Sequence, residues 1–165
     1  MSTARVRFGV LLGLVAVCGS VVAFAARPNV FTSNSKTKIH WRADLDQAHE
    51  EALKSNKPML IVFDAEWCSF CKKMDQATFS DPAIITYINN TFVPVQLSLE
   101  DNYRTAEVLE VDRIPASVAL SPNADLLGRI VGFVNAETYR ESLSKIRVLN
   151  QRVIVEKPTL PARAR

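Results

Sequence analysis

The sequence predicts an α/β domain with a mixed central sheet and helices on both faces. Three observations predict it. Residues 59–63 (MLIVF) are continuously apolar, as expected of a central strand that is covered on both faces. Helical patterns flank this run, which implies an early helical crossover. Residues 117–120 and 126–131 are two further apolar runs separated by a short turn, which indicates a hairpin, and a final helix follows them.

The first part of the domain alternates strand and helix signals. Residues 39–41 are a candidate short first strand. Asp44 is a candidate helix N-cap, and Gln47 three residues later completes a capping box. Apolar residues at helical spacing give this helix one buried face, and residues 56–58 (NKP) end it.

Two helices, a strand and a short helix are predicted after the central strand. The first helix reaches about Ala77, and the second begins at Asp81, an N-cap followed by proline. Residues 92–99 alternate as a strand does, although Pro94 weakens that prediction. A short helix is expected over residues 103–110.

The last part of the domain is the hairpin and one helix. Residues 121–125 (SPNAD) have the composition of a turn. Gly132 breaks the second hairpin strand, and Asn135 is the candidate N-cap of a final helix that reaches about Val148. The predicted order is therefore β-α-β-α-α-β-α-β-β-α.

Residues 1–27 read as a signal peptide or an N-terminal membrane anchor. Arg5 and Arg7 precede nineteen uncharged residues, 8–26. A small-x-small pattern just before Ala26 would allow cleavage, but the apolar stretch approaches the ~20 residues that span a bilayer, which favours an uncleaved anchor. With the arginines held in the cytoplasm, the rest of the chain would lie outside it.

The remaining boundaries follow from composition. Residues 28–38 are a polar linker, residues 39–149 are the folded domain, and residues 150–165 are a basic, proline-containing tail that is expected to be loose. The formal net charge of +3 falls to +1 without the first 25 residues. Because no sustained basic stripe remains, nucleic acid is not an expected partner.

Cys68 and Cys71 carry the chemistry. They stand two residues apart, where the central strand hands over to a helix, and can form a disulfide that opens and closes. A helix N-terminus favours negative charge, so a thiolate placed there has a lowered pKa and is a nucleophile near neutral pH. The spacing therefore indicates thiol–disulfide exchange.

Other readings of the cysteine pair are weaker. A structural zinc site needs four ligands, and no second cysteine pair exists; His40 and His49 are expected to have surface or packing roles. Covalent haem attachment needs a histidine where Lys72 stands. A static disulfide of this spacing would close too small a loop to stabilise much. No metal and no other cofactor is expected.

Several segments resemble known proteins. Three of them resemble the thioredoxin superfamily: residues 65–72 (AEWCSFCK), Ile114-Pro115 where that family has its cis-proline, and Gly132 at the end of the following strand. Residues 57–58 and 78–82 (TFSDP) resemble more specifically the thioredoxin-like group that contains the C-terminal domain of the DsbD reductase. The resemblance covers residues 39–148 and implies a thioredoxin-like fold.

The resemblance implies a role for each site residue. Cys68 would lie exposed at the helix start and attack, and Cys71, one turn inside, would be shielded and resolve the mixed disulfide. Pro115 would be cis and pack beside the sulfurs. The backbone of Ile114 would then be free to pair with an extended substrate strand.

The residues next to the cysteines would contact the substrate. Trp67 and Phe70 would give an apolar rim for flexible partners, with Ser69 and Ile114 as further contacts. The Ser69-Phe70 dipeptide differs from those of thioredoxin, protein disulfide isomerase and DsbA. Potentials among such proteins span about 150 mV, roughly 7 kcal/mol for two electrons. Without a histidine to stabilise the thiolate, we expect a fairly reducing potential.

One position departs from the resemblance. Thioredoxins share a buried Asp six residues before the first cysteine, which helps to move the proton of the second thiol; Val62 stands there. Asp64 shares a face with Val62 only if the strand continues that far. The hypothesis is that Glu66 or water carries the proton, and that resolution is slower than in thioredoxin.

The sequence thus predicts an exported thiol–disulfide oxidoreductase that reduces protein disulfides. It would lie in a bacterial periplasm, anchored to the inner membrane, and a membrane reductase would supply its electrons. Alternatively the leader is cleaved and the domain is soluble, in the periplasm or in the secretory lumen. A rival function is a non-catalytic thioredoxin-fold binding or assembly protein, or a chaperone, that uses Trp67, Phe70 and Pro115. A third possible function is copper handling by a thioredoxin relative. This possibility is weaker because no histidine lies near Pro115 in the sequence.

Overall fold

The computed structural model describes residues 38–156. The elements in this part of the chain are α1 (Leu45–Ser55), β1 (Met59–Asp64), α2 (Ser69–Ala77), α3 (Pro82–Thr91), β2 (Val93–Ser98), α4 (Tyr103–Val108), β3 (Ala116–Leu120), β4 (Leu126–Val131) and α5 (Ala136–Glu156). The predicted leader or anchor, the linker up to residue 37 and the tail from residue 157 lie outside the described residues. Among the helices between residues 38 and 156, none combines the length and apolar character needed to cross a bilayer.

The four strands form one sheet in the order β2-β1-β3-β4. β1 pairs parallel with β2, from Met59 opposite Val93 to Asp64 opposite Ser98. β3 runs antiparallel to both β1 and β4. The predicted mixed sheet is confirmed, and the parallel pairing brings the carboxyl ends of β1 and β2 together at one edge.

Helices cover both faces of this sheet, as predicted. On one face, Leu60 and Val62 of β1 belong to a core to which α2, α3 and α5 contribute. On the other face, Ile61 and Phe63 pack in a second core with residues of α1 and α4. β1 is buried from Met59 to Phe63 because alternate side chains enter different cores.

The predicted helix caps are confirmed. The Asp44 carboxylate accepts from the backbone N–H of Gln47 at 3.0 Å, and it also accepts from the Gln47 side-chain amide. Asp81 caps α3 by accepting from two backbone N–H groups of its first turn. Asn135 Oδ1 accepts from the N–H of Thr138 at 2.9 Å, which caps α5. Each cap satisfies helix donors that have no partner within the helix.

The predicted strand over residues 39–41 is wrong in extent. Only an isolated parallel bridge forms, between Arg42 and Val95. Arg42 donates its N–H to the carbonyl of Pro94 at 3.0 Å and accepts from Gln96 at 2.9 Å. The same contacts explain why Pro94 is tolerated: its nitrogen lies on the side of β2 that faces away from β1, so no hydrogen bond to β1 is lost.

α5 continues beyond the predicted end at Val148, so the segment expected to be a loose tail begins as helix. Ile146 and Asn150 are buried, and Val153 packs against the same core. These positions continue one helical face at spacings of four and three. Because Asn150 is polar, the apolar pattern of the helix appears in the sequence to stop before it.

Candidate active site

Cys68 and Cys71 form a disulfide at the start of α2. Their Cα atoms are 5.3 Å apart, and the S–S distance is 2.05 Å. Cys68 is the N-cap of the helix, in extended conformation, and its sulfur accepts from the backbone N–H of Cys71 at 3.0 Å. An N–H donor aimed at this sulfur favours a negative charge there once the disulfide opens.

The expected difference in exposure between the two cysteines is wrong for the disulfide form. Cys68 is 5% exposed and Cys71 is 4% exposed. Both pack with Ala65, and Ile114 lies against them. Cys68 is covered because the disulfide bond turns its sulfur back over the first helical turn, where it also accepts from the Cys71 amide.

The loop before β3 supplies the second wall of the site. The Ile114–Pro115 peptide bond is cis, as the family resemblance implied. The carbonyl of Pro115 accepts from the N–H of Gly132 at 2.8 Å. Gly132 has a φ of 84°, in the region that favours glycine. This bond ties the end of β4 to the loop that packs against the disulfide.

Two aromatic side chains stand out beside the disulfide. Trp67 is 69% exposed and Phe70 is 58% exposed, and Ser69 between the cysteines is also exposed. The predicted apolar rim is therefore present as exposed surface. A substrate that approaches the sulfurs can cover this rim and bury apolar area.

The Trp67 indole is held by a residue that the sequence did not single out. Its Nε1–H donates to Oε1 of Glu100 at 2.5 Å, and Oε2 of Glu100 accepts from the Ser98 hydroxyl at 2.9 Å. The backbone N–H of Glu100, followed by the Ser98 hydroxyl and the indole, lowers the pKa of the Glu100 carboxyl. Glu100 is therefore ionised at neutral pH.

A groove of about 700 Å³ lies beside Trp67, between the ends of β1 and β2. We call it the acidic groove because Asp64, Glu66, Glu100 and Asp101 line it. The sequence predicted that Glu66 belongs to the site but not that Ser98, Glu100 and Asp101 do. These residues could have been found from the order of the predicted elements, because two parallel strands, β1 and β2, end at the same edge of the sheet.

Three carboxyl groups lie within four residues of the cysteine pair in the sequence: Asp64, Glu66 and Asp75. β1 includes Asp64, so the condition for Asp64 to share a face with Val62 is met. Asp64 accepts from the Gln96 side-chain amide at 2.5 Å. Asp75 lies one helical turn beyond Cys71; burial, followed by the charge of Asp64, raises its pKa. Glu66 is exposed in the loop between β1 and α2.

The two histidines lie away from this chemistry. His49 places Nε2 3.0 Å from the carbonyl oxygen of Pro122, in the hairpin turn. His40 is exposed, and its backbone N–H donates to Asn89. Between residues 38 and 156, no group of three or more His, Cys, Asp or Glu side chains could hold a metal ion.

Comparison with known proteins places this geometry in a family. Residues 45–147 match the family model described as a thioredoxin-like domain. The thiol:disulfide interchange protein DsbD of Pectobacterium atrosepticum is 30% identical over 108 residues, which cover 62% of this chain and 18% of that protein. The chain thus spans less than a fifth of the length of this curated relative.

Solved structures show the same fold. A thioredoxin from Thermus thermophilus superposes with a TM-score of 0.63 at 22% identity, covering 68% of this chain and 90% of that one. The oxidised C-terminal domain of DsbD from Neisseria meningitidis superposes with a TM-score of 0.56 at 23% identity, covering 64% of this chain and 97% of that one. The family model covers more than half of the chain, and the chain with its Cys68–Cys71 disulfide therefore belongs to the family of thioredoxin-like domains.

Proposed function

We propose that the protein reduces disulfide bonds in other proteins outside the cytoplasm. The observation that carries this proposal is the Cys68–Cys71 disulfide at the start of α2, with the Cys71 N–H on the Cys68 sulfur. That N–H and the helix N-terminus stabilise the thiolate that must attack. The roles of Cys68 as nucleophile and Cys71 as resolving residue follow from this asymmetry.

The reaction has two exchange steps. The Cys68 thiolate attacks one sulfur of a substrate disulfide, which forms a mixed disulfide and releases the other substrate sulfur as a thiolate. Cys71 then loses its proton and attacks the Cys68 sulfur. This step releases the second substrate thiolate and closes the Cys68–Cys71 disulfide. The substrate gains two electrons and the protein loses them.

The substrate would lie across the exposed rim and the loop that contains the cis-proline. Trp67 and Phe70 would bury apolar side chains of a flexible segment, next to Ser69. Ile114 already packs against the disulfide, so a segment that pairs with its backbone would run past the sulfurs. Pro115 shapes that loop and offers no N–H of its own.

The reducing direction and the location rest on sequence. The Ser69-Phe70 dipeptide has no histidine to stabilise the reduced form, which favours a reductant over an oxidant. The leader of residues 1–27, as a signal or inner-membrane anchor, would place the domain in the periplasm. A reductant there needs electrons from a membrane reductase, which we propose as its partner.

A second candidate function is binding without catalysis, in assembly or as a chaperone. The exposure of Trp67 and Phe70 favours it, because large exposed apolar side chains mark contact surfaces. Under that function the disulfide would not take part in exchange with a partner.

The equilibrium reduction potential of the pair tests the proposal. The third cysteine of the chain, Cys18, is changed to serine so that only the pair can react. This variant is equilibrated in glutathione and dithiothreitol buffers, and the fraction reduced is measured by alkylation and mass spectrometry. We expect a value at or below about −230 mV, toward the thioredoxin value of about −270 mV. A value near about −120 mV, as for DsbA, would contradict the reducing direction. A pair that no buffer reduces would instead favour the binding function.

A further inference from the structure

We propose that the acidic groove selects substrates that carry a lysine or arginine beside the cysteine that Cys68 attacks. This inference rests on the proposed reductase function and names its substrate class. The occupant is a basic side chain of a polypeptide, whose ammonium or guanidinium group meets the groove carboxylates while its stem lies along Trp67.

The groove reaches the residue that directly precedes the reacting cysteine in the chain. Glu66 and Trp67 line it, and Cys68 follows directly in the chain. Its other wall comes from Ser98, Glu100 and Asp101. This segment is held there because Ser98 pairs with Asp64 across the parallel strands. A side chain next to a bound substrate cysteine can therefore enter the groove while its sulfur faces Cys68.

All the charged side chains that line the groove are negative. Four of its lining residues are carboxylic acids, and none is lysine or arginine. The ion pairs found between residues 38 and 156 use other carboxylates: Arg42–Glu51, Lys54–Glu50, Arg113–Asp112 and Arg129–Glu110. Within the described residues none of these ion pairs reaches the groove, so its negative charge is left to attract an incoming cation.

The indole adds an apolar surface that a long basic side chain can use. Trp67 is 69% exposed, and its hydrogen bond to Glu100 fixes the plane of the ring. Lysine and arginine bury their stems on apolar surface while the charge stays hydrated, and a guanidinium can stack on an indole. Glu66 and Asp101, both exposed, remain to pair with the charged end.

Three disulfide-linked peptides that differ at one position test this. The residue next to the target cysteine is lysine, glutamine or glutamate, and the full chain with Cys18→Ser, reduced beforehand, is the reductant. We expect the second-order rate for the lysine peptide to exceed that for the glutamate peptide about five- to tenfold at low salt. The ratio should fall toward about two at 0.5 M salt, because surface charge pairs are screened.

Variants locate the effect. Glu66→Gln with Asp101→Asn should reduce the ratio of lysine to glutamine rates to near one. The ratio cancels any general change in reactivity. Glu141→Gln removes one exposed carboxylate of α5, outside the groove, and should leave the ratio unchanged. Equal rates for the three peptides, or an unchanged ratio in the double variant, would overturn the selectivity. Failure to reduce any peptide would overturn the reductase function and this inference with it.

Discussion

The indole of Trp67 and the carboxylate of Glu100 are joined by a 2.5 Å hydrogen bond across 33 residues of sequence. Trp67 directly precedes the first cysteine, and Glu100 follows β2. Without this bond, a side chain that is 69% exposed would sample several rotamers. We therefore expect Glu100 to hold the Trp67 indole in one orientation before a substrate arrives.

Glu100→Ala is expected to raise the KM for a protein disulfide a few-fold while kcat changes less. The reason is that the loosened indole must be ordered on binding, which costs about 0.5–1.5 kcal/mol for a side chain. Steady-state kinetics measure this. The KM of Glu100→Gln, which keeps an acceptor oxygen, should be closer to that of the parent. An unchanged KM in Glu100→Ala would show that the bond does not prepare the site.

Asp75→Asn is expected to stabilise the protein at neutral pH. Burial and the Asp64 charge raise the pKa of Asp75 in the folded state, so the folded protein holds its proton more tightly than the unfolded chain does. This penalty is absent at acid pH and grows as pH rises through the folded pKa. After solvent screening the gain is below about 1 kcal/mol.

Urea unfolding at pH 7 and at pH 3 measures this difference. The free energy of unfolding of Asp75→Asn should exceed that of the parent at pH 7, and the difference should shrink at pH 3. Glu141→Gln, at an exposed position of α5, is the control and should show neither effect. A variant less stable than the parent at pH 7 would contradict the assignment.

Glu66→Gln tests the hypothesis that Glu66 carries the proton of Cys71. If it does, the pH–rate profile of mixed-disulfide resolution should shift, and the rate near neutral pH should fall roughly tenfold or more. Asp64→Asn is the matched comparison, because β1 extends to Asp64 and places it on the face of Val62. A profile that Glu66→Gln leaves unchanged while Asp64→Asn shifts it would transfer the role to Asp64.

Tyr139→Phe is expected to cost about 1–3 kcal/mol of folding free energy. Tyr139 is fully buried, and its hydroxyl lies 2.8 Å from the buried Ser117 hydroxyl, which would lose its partner. Pairing the change with Ser117→Ala should recover most of the loss. Tyr87→Phe is the control, since its hydroxyl makes only an exposed 3.4 Å contact. Equal costs for the two tyrosines would contradict this reading.

Much of the fold was predictable because its signals are local. The apolar run of β1, the caps Asp44, Asp81 and Asn135, and the hairpin turn each depend on neighbouring residues. The end of α5 was missed because the stripe from Ile146 to Val153 includes a buried asparagine. Whether a polar residue interrupts a helix or is buried in it depends on the surface that the helix meets, and a sequence does not show that surface.

The site divides in the same way. The cysteine pair and the cis-proline loop carry short motifs, and the structure brings Ile114 against Cys68 and Cys71. Glu100 carries no motif, and its contact with Trp67 depends on the register of β1 against β2. The burial of Cys68 was mispredicted because its sulfur is bonded to that of Cys71 and so points back over the start of α2.

Trapping of the mixed disulfide tests most directly whether Cys68 attacks and Cys71 resolves. The full chain with Cys18→Ser is used, carrying either Cys71→Ser or Cys68→Ser, and is mixed with a disulfide-containing protein. We expect Cys71→Ser to accumulate a covalent adduct through Cys68 that reductant removes, and Cys68→Ser to form little. No adduct with Cys71→Ser, or equal adducts with both variants, would contradict the account.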